Sequence, residues 1–268
     1  MLDAPTPPSV TRPAGASSPA AVLPTACSHD PDPTRAAREL AQALAEPLAG
    51  AHLGAVLFFC SAEYPLAALG EALTAAFEGV PVSGCTTAGE ITPNGYARGG
   101  IVAIGFPRAH FAVSTALIDD LAHFDLIRAQ RLTDTLLNEC RHQAVAPVAG
   151  HSFALTLLDG LSSSEEQVLA TLDAALGSIP SFGGSAGDDN RLAHTHVFHQ
   201  GRFHDQAAVV VMVNTSLPFE VFSTHHLRPR REKLVVTAAD RQAIRPGAVA
   251  AGTPCARCLG GRPADGNR

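Results

Sequence analysis

One pattern of strand, helix and glycine-rich segment occurs twice in this 268-residue chain, about 100 residues apart. In each copy, a continuous apolar run typical of a buried strand precedes a helix with one apolar face. A second, shorter strand leads into the glycine-rich segment, and two further strands follow. The apolar runs cover 55–60 and 153–158, and the glycine-rich segments cover 84–89 and 183–189. The sequence therefore predicts a mixed α/β fold of two similar βαβββ halves, whose mixed sheets are flanked by helices.

Several connecting elements have their own signals. A helix is predicted over 124–142 between the halves, and a hairpin over 196–204 with its turn at Gln200-Gly201. The last strands are predicted over 207–213, 219–224 and 233–237. The glycine-rich segments are predicted to be turns, in which glycine permits a positive φ or a close backbone approach between the halves.

Both ends of the chain differ in composition from the middle. Residues 1–33 are rich in Pro, Ala, Ser and Thr and predict a disordered N-terminal tail, with order beginning at Thr34 as a helix N-cap. Residues 244–268 show no apolar period and predict an unstructured tail, so a single sensor-type domain is expected over 34–243. The pair Cys255 and Cys258 has no second pair or neighbouring histidine and is interpreted as accidental.

Charge and cysteine spacing restrict the function classes. The formal net charge is -6, which does not favour nucleic acid or an anionic membrane surface as a partner. Four of the six cysteines lie far apart in the sequence, and the thiols are expected to be reduced. No segment approaches the roughly 20 apolar residues of a membrane span, and the N-terminus lacks a signal-peptide pattern. The cytoplasm is therefore the expected location.

Three motifs, in order, resemble the signatures of the FIST N-terminal domain over roughly 50–240. They are 82–91 followed by Gly95-Tyr96, then 182–189, and then 222–227 followed by 232–237. The resemblance implies a sensory module that binds a small ligand, works with a histidine kinase, a diguanylate cyclase or a chemoreceptor, and is not an enzyme. Members usually continue into a FIST C-terminal domain, whereas this chain stops soon after Asp240. A truncated or frameshifted end is therefore expected.

The ligand site is predicted where the two glycine-rich segments approach each other. A small polar metabolite, such as an amino acid, is one expected ligand. Asp188 and Asp189 would repel a phosphate, so they are expected to cap a turn or to bind a ligand amine. The expected ligand-binding residues are Gly84, Cys85, Thr86, Gly183, Gly184, Ser185 and Asp188.

A histidine pair suggests a second ligand. The stretch 222–226, followed by 234–237, resembles the nitric-oxide-sensing NosP-type branch, which binds haem through a histidine, so His225 or His226 is the expected haem ligand. Adjacent residues of a strand face opposite sides, so only one of the two can enter an apolar pocket. The alternative is a pair of histidines at a strand end on the surface.

Two further chemistries remain as alternatives. Cys85 follows a glycine at a strand end, where a nucleophile for a cysteine-dependent hydrolase can lie, although no sequence signature pairs it with a base. His194, His196, His199 and His204 fall on or near the predicted hairpin, but no carboxylate or cysteine completes a metal site at a recognisable spacing. These histidines are interpreted as surface residues, and no metal site is expected.

Overall fold

The computed structural model describes residues 23–224, 233–236 and 249–252. Helices and strands alternate along most of this part of the chain. No helix within these ranges is long and apolar enough to cross a membrane. In chain order, the elements are β1 (Thr25–Ser28), α1 (Pro33–Ala45), β2 (Leu53–Ser61), α2 (Leu66–Ala76), β3 (Val82–Thr87), β4 (Glu90–Thr92), β5 (Gly95–Ala97), β6 (Ile101–Pro107), β7 (Phe111–Ile118), α3 (Leu126–Gln143), β8 (Ser152–Leu158), α4 (Glu165–Leu176), β9 (Ser181–Ser185), β10 (Val197–His199), β11 (Arg202–His204), β12 (Ala208–Thr215), β13 (Lys233–Val236) and β14 (Val249–Gly252).

Two large mixed sheets repeat one strand order. The first sheet has the order β1-β6-β2-β3-β10-β11, and the second has the order β7-β12-β8-β9. Each sheet contains one parallel pair, β2 with β3 or β8 with β9, and an antiparallel strand, β6 or β12, pairs with the β2 or β8 side of it. The mixed α/β class and the two similar halves predicted from the sequence are therefore confirmed.

The repeating unit is longer than the predicted βαβββ unit. The first half runs β1-α1-β2-α2-β3, the β4–β5 hairpin and β6, and the second runs β7-α3-β8-α4-β9, the β10–β11 hairpin and β12. The strand β7 (Phe111–Ile118) thus begins the second half, where the sequence pattern placed it at the end of the first. Its antiparallel pairing with β12 matches that of β1 with β6, which fixes the boundary.

The molecule consists of four layers, helix, sheet, sheet and helix. One apolar cluster joins α1 and α2 to the outer face of the first sheet, and another joins α3 and α4 to the second. A third cluster lies between the sheets and includes Leu57 of β2, Val211 of β12 and Leu157 of β8. The strand β12 is buried along its whole length because it contacts both the helices and the opposite sheet.

The folded part starts earlier than the sequence predicts. The strand β1 lies inside the predicted tail of residues 1–33 and pairs with β6 in antiparallel register. The N-cap of α1 is Asp32, not Thr34, and its carboxylate accepts the backbone N–H groups of Thr34 and Arg35. The sequence of this strand has no apolar period that would have predicted it. Its contacts with α1 and β6 order it instead.

Three other local predictions need correction. The glycine-rich segments are turns only at their ends, because Val82–Thr87 and Ser181–Ser185 are the strands β3 and β9, and the residues outside the strands are 88–89, where Gly89 has a φ of 139°, and 186–189. Residues 219–224 form no strand; instead, Phe219 packs on Phe153 with ring centroids 4.9 Å apart. The strand β14 lies within the predicted C-terminal tail, where it pairs with β13. The predicted hairpin with its turn at Gln200-Gly201 is confirmed as β10–β11.

Candidate functional site

The ends of the two glycine-rich segments contact each other directly. The backbone N–H of Gly187 donates to the carbonyl of Thr86 at 2.9 Å, and the N–H of Asp189 donates to the carbonyl of Thr87 at 3.2 Å. A Cβ on Gly187 would lie 2.7 Å from the backbone nitrogen of Ala88, closer than real side chains approach. The expected close approach between the halves is therefore present, and it takes the form of direct backbone bonding.

The expected ligand residues of the first half are buried within its sheet. Gly84, Cys85 and Thr86 lie on β3, between β2 and β10. A Cβ on Gly84 would overlap the carbonyl oxygen of Phe58 and lie 2.6 Å from its ring, so glycine is required there by packing. The hydroxyl of Thr86 accepts the backbone N–H of His196 at 3.0 Å. These three residues hold the sheet together.

The expected ligand residues of the second half lie on an exposed strand edge. Gly183, Gly184 and Ser185 belong to β9, and the hydroxyl of Ser185 donates to the carboxylate of Glu165 at 2.6 Å. A Cβ on Gly183 would overlap the carbonyl oxygen of Thr156, which repeats the packing found at Gly84. The structure thus brings the two glycine-rich segments together only at their last residues.

Asp188 closes a loop. Its carboxylate accepts the backbone N–H groups of Leu192 at 2.8 Å, Ala193 at 2.6 Å and His194 at 3.0 Å. The N–H of Ala193, supported by those of His194 and Leu192, holds the pKa of Asp188 below its ordinary value. Because its oxygens are engaged by these amides, Asp188 acts as the turn cap that was one of its two expected roles.

Cys85 is not in the environment of an activated nucleophile. The side chain is buried between the two sheets, and burial raises the pKa of its thiol to about 12. A catalytic cysteine needs the opposite shift, toward a thiolate at neutral pH. The geometry therefore does not support the hydrolase alternative.

A small apolar pocket lies beside the junction of the glycine-rich segments. It has a volume of about 360 Å³, within the range of small-molecule sites. The β4–β5 hairpin covers it on one side, and the face of the first sheet that points away from α1 and α2 forms its floor. It is lined by Thr25, Phe59, Thr87, Gly89, Glu90, Ile91, Pro93, Val102 and Ile104.

A buried carboxylate attaches the hairpin to the sheet. Glu90 is almost fully buried, and it accepts the hydroxyl of Thr87 at 2.8 Å and the backbone N–H of Gly100 at 3.3 Å. Beyond this anchor the hairpin is exposed, since Ile91 is 72% and its cross-strand neighbour Tyr96 is 92% accessible. The covering element is therefore fixed at its base and free at its tip.

Asp189 does not itself line this pocket, but its backbone N–H donates to the carbonyl of the pocket residue Thr87. Its Oδ2 accepts the hydroxyl of Ser61 at 3.2 Å, and Ser61 is the β2 partner of the pocket residue Thr87. Its Oδ1 is buried and has no hydrogen-bond partner within the described residues. The backbone at Asp189 adopts a φ of 57°, which is uncommon outside glycine. A buried acceptor without a hydrogen-bond partner is a feature that a bound ligand can explain.

One of the histidines that were predicted to lie on the surface is buried, and the predicted haem ligands, His225 and His226, lie outside the described residues. Of the hairpin histidines, His199 is buried opposite Ser83, and burial lowers its pKa, so it is not a surface residue. Within residues 23–224, His, Cys, Asp and Glu form no group of three that could hold a metal ion.

The sequence did not single out the pocket, although it named Asp189, together with Asp188, as a residue that caps a turn or binds a ligand amine. Phe59, Val102 and Ile104 carry only the signal of ordinary strand residues. The one available signal was Glu90, a carboxylate placed directly after a glycine-rich strand and next to an apolar hairpin residue. Its burial depends on the fold of the hairpin over the sheet.

Comparison with known proteins supports the resemblance seen in the sequence. The FIST N domain family matches residues 54–245, which include both glycine-rich segments and most of both halves. No curated protein matches the chain. FIST domains are small-ligand sensory domains of signalling proteins. Since the match spans well over half of the sequence, the chain belongs to the FIST N domain family.

Proposed function

We propose that this protein senses a small molecule that binds in the pocket beneath the β4–β5 hairpin and carries an apolar body with one hydrogen-bond donor. Two observations support the proposal: an apolar pocket of about 360 Å³, and the unpartnered Oδ1 of Asp189, a residue outside the pocket lining whose backbone N–H bonds to the pocket residue Thr87. A buried acceptor without a partner costs about 1–3 kcal/mol, and a ligand N–H or O–H recovers this energy. A primary amine on an apolar body fits this combination best.

The pocket also suggests how binding becomes a signal. Ile91 lines the pocket and faces Tyr96 across the hairpin, so a ligand that contacts Ile91 changes the position of an exposed apolar pair. The proposed receivers are those of the family resemblance: a histidine kinase, a diguanylate cyclase or a chemoreceptor in the cytoplasm. Ligand-dependent activity of a purified partner is the measurement that would identify one.

The haem hypothesis has less support. None of the described residues that line the pocket is His, Cys, Met or Tyr, the usual protein ligands of haem iron. The hypothesis therefore depends on His225 or His226, outside the described residues. No described observation favours haem over the amine-bearing ligand.

The test uses the absence of tryptophan from the sequence. A Tyr96→Trp variant places the only tryptophan of the chain on the hairpin that covers the pocket. Apolar primary amines, amino acids, other polar metabolites and haemin are first screened by thermal shift, and hits are then titrated by Trp fluorescence. We expect hits among the apolar amines, with a saturable fluorescence change.

Paired variants test the role of Asp189. Asp189→Asn should weaken binding of an amine hit at least about tenfold, because a hydrogen bond to a charged group is worth about 1.5–3 kcal/mol. Asp119→Asn, which removes an exposed carboxylate at the end of β7, is the control and should leave affinity unchanged. The proposal fails if no amine binds, or if haemin alone binds one-to-one with a Soret band.

A further inference from the structure

The outer edges of β3 and β9 differ, because another strand pairs with the outer edge of β3 and none of the described strands pairs with the outer edge of β9. The hydrogen bonds from Val56 to Pro81 and from Ala154 to Pro180 show that β3 and β9 are equivalent strands of the two halves. The β10–β11 hairpin of the second half pairs antiparallel with the outer edge of β3. Among the described residues, no strand pairs with the outer edge of β9. One half of the repeat thus has a covered edge and the other has an open one.

The hairpin on β3 fills the groove between that strand and α2. Phe198 packs on Phe58 with ring centroids 5.1 Å apart, and the backbone of Gly201 lies against Gly70 of α2. In the second half the equivalent groove between β9 and α4 has a volume of about 410 Å³. Its apolar lining includes Leu169 and Phe182, which are 42% and 47% accessible.

The open edge of β9 has the properties of a pairing site. The register with β8 directs the N–H groups of Phe182 and Gly184 toward β8, so those of Gly183 and Ser185 point outward. All five residues of β9 are exposed, and none is charged or proline. Exposed edges without such protection readily accept another strand.

We propose that the β13–β14 hairpin of this same chain adds to the outer edge of β9, as β10–β11 adds to β3. The path of the chain supports this occupant. After β12 ends, Phe219 packs on Phe153, which stacks on Phe182 of β9 at a centroid distance of 5.8 Å. The chain therefore crosses β8 toward β9 before it reaches β13.

The reach and the stability of the hairpin agree with this placement. Lys233 follows Thr224 by nine residues, which span up to about 30 Å when extended. Among the described residues β13 and β14 pair only with each other, and an isolated two-stranded hairpin is marginally stable in water. Pairing with β9 would give the second sheet the same six-strand composition as the first.

Amide hydrogen exchange on the full chain, followed by NMR, tests the proposal. We expect the outward amides of Gly183 and Ser185 to be protected in the wild type. In Val235→Pro, which blocks strand pairing by β13, their exchange should accelerate at least about tenfold. The inward amides of Phe182 and Gly184 should keep their protection, which shows that β9 itself remains folded. Val235→Thr, which keeps a β-branched residue, is the control and should behave as the wild type.

Three results would overturn the proposal. The first is free exchange of Gly183 and Ser185 in the wild-type chain. The second is protection of both amides that survives Val235→Pro. The third is protection that disappears on dilution together with a dimer, because the occupant of the edge would then be a second copy of the chain.

Discussion

Gly183→Ala is expected to destabilise the protein strongly, whereas Gly184→Ala, one residue further along the same strand, is expected to be tolerated. A Cβ at Gly183 would overlap the carbonyl oxygen of Thr156 and lie 2.9 Å from its carbonyl carbon. Thr156 lies on β8 between β12 and β9, so its backbone cannot move away without breaking one of two ladders. At Gly184 a Cβ meets nothing within 4 Å.

The size of the difference follows from these contacts. Overpacking against a fixed backbone costs about 1–3 kcal/mol, and loss of one ladder hydrogen bond adds about 1 kcal/mol, so Gly183→Ala should lose about 2–4 kcal/mol. Gly184→Ala should be neutral or stabilised by up to about 1 kcal/mol, because alanine restricts the unfolded chain.

Urea unfolding followed by circular dichroism measures both variants. A difference of about 3 kcal/mol between them corresponds to roughly 1–2 M in the urea midpoint, with unchanged slope. A difference below about 1 kcal/mol, or a greater loss in Gly184→Ala, would refute the argument that Gly183 is fixed by strand packing. Gly84→Ala, in which Phe58 is the obstacle, should repeat the effect in the first half.

Two further predictions concern titratable groups. Because the amides of Ala193, His194 and Leu192 lower the pKa of folded Asp188, its stabilising contribution is complete above about pH 4 and is lost as the pH falls through the folded pKa. Asp188→Asn should therefore lose stability at pH 7 in urea unfolding and converge with the wild type in acid; an offset that does not change with pH would contradict this. Since burial raises the pKa of Cys85 to about 12, iodoacetamide at pH 7.5 should label the partly exposed Cys27 in buffer and Cys85 only after unfolding, as read by mass spectrometry. Labelling of Cys85 at equal rates in buffer and in urea would show that the thiol is accessible.

Elements with strong apolar patterns could be predicted from the sequence. The strands β2 and β8 are buried on both faces, so their sequences are continuous apolar runs, and α2 and α4 each have one apolar face. The turn of the β10–β11 hairpin has its own local signal at Gln200-Gly201. These elements alone determine the fold class and the existence of a repeat.

Features that depend on tertiary pairing could not be predicted. The strand β1 has the sequence Thr-Ala-Cys-Ser and becomes a strand only through β6. Glycine at positions 84 and 183 suggested turns because its signal is the same whether it permits a positive φ or leaves room for a neighbouring carbonyl. The pocket beside Thr87 was missed for a similar reason, since it exists only where the β4–β5 hairpin lies over the first sheet.

The β10–β11 hairpin belongs to the second half but pairs with the first sheet, and this has a consequence for synthesis of the protein. Thr86 and its partner His196 are separated by 110 positions in the chain. At translation rates of about 5–20 residues per second, β3 emerges from the ribosome roughly 5–20 s before the hairpin that covers it. During that interval the nascent first half presents a bare strand edge, so its sheet is completed only after most of the second half has been made. The N-terminal half is therefore expected to be the segment that depends most on chaperones, and to aggregate when it is produced alone.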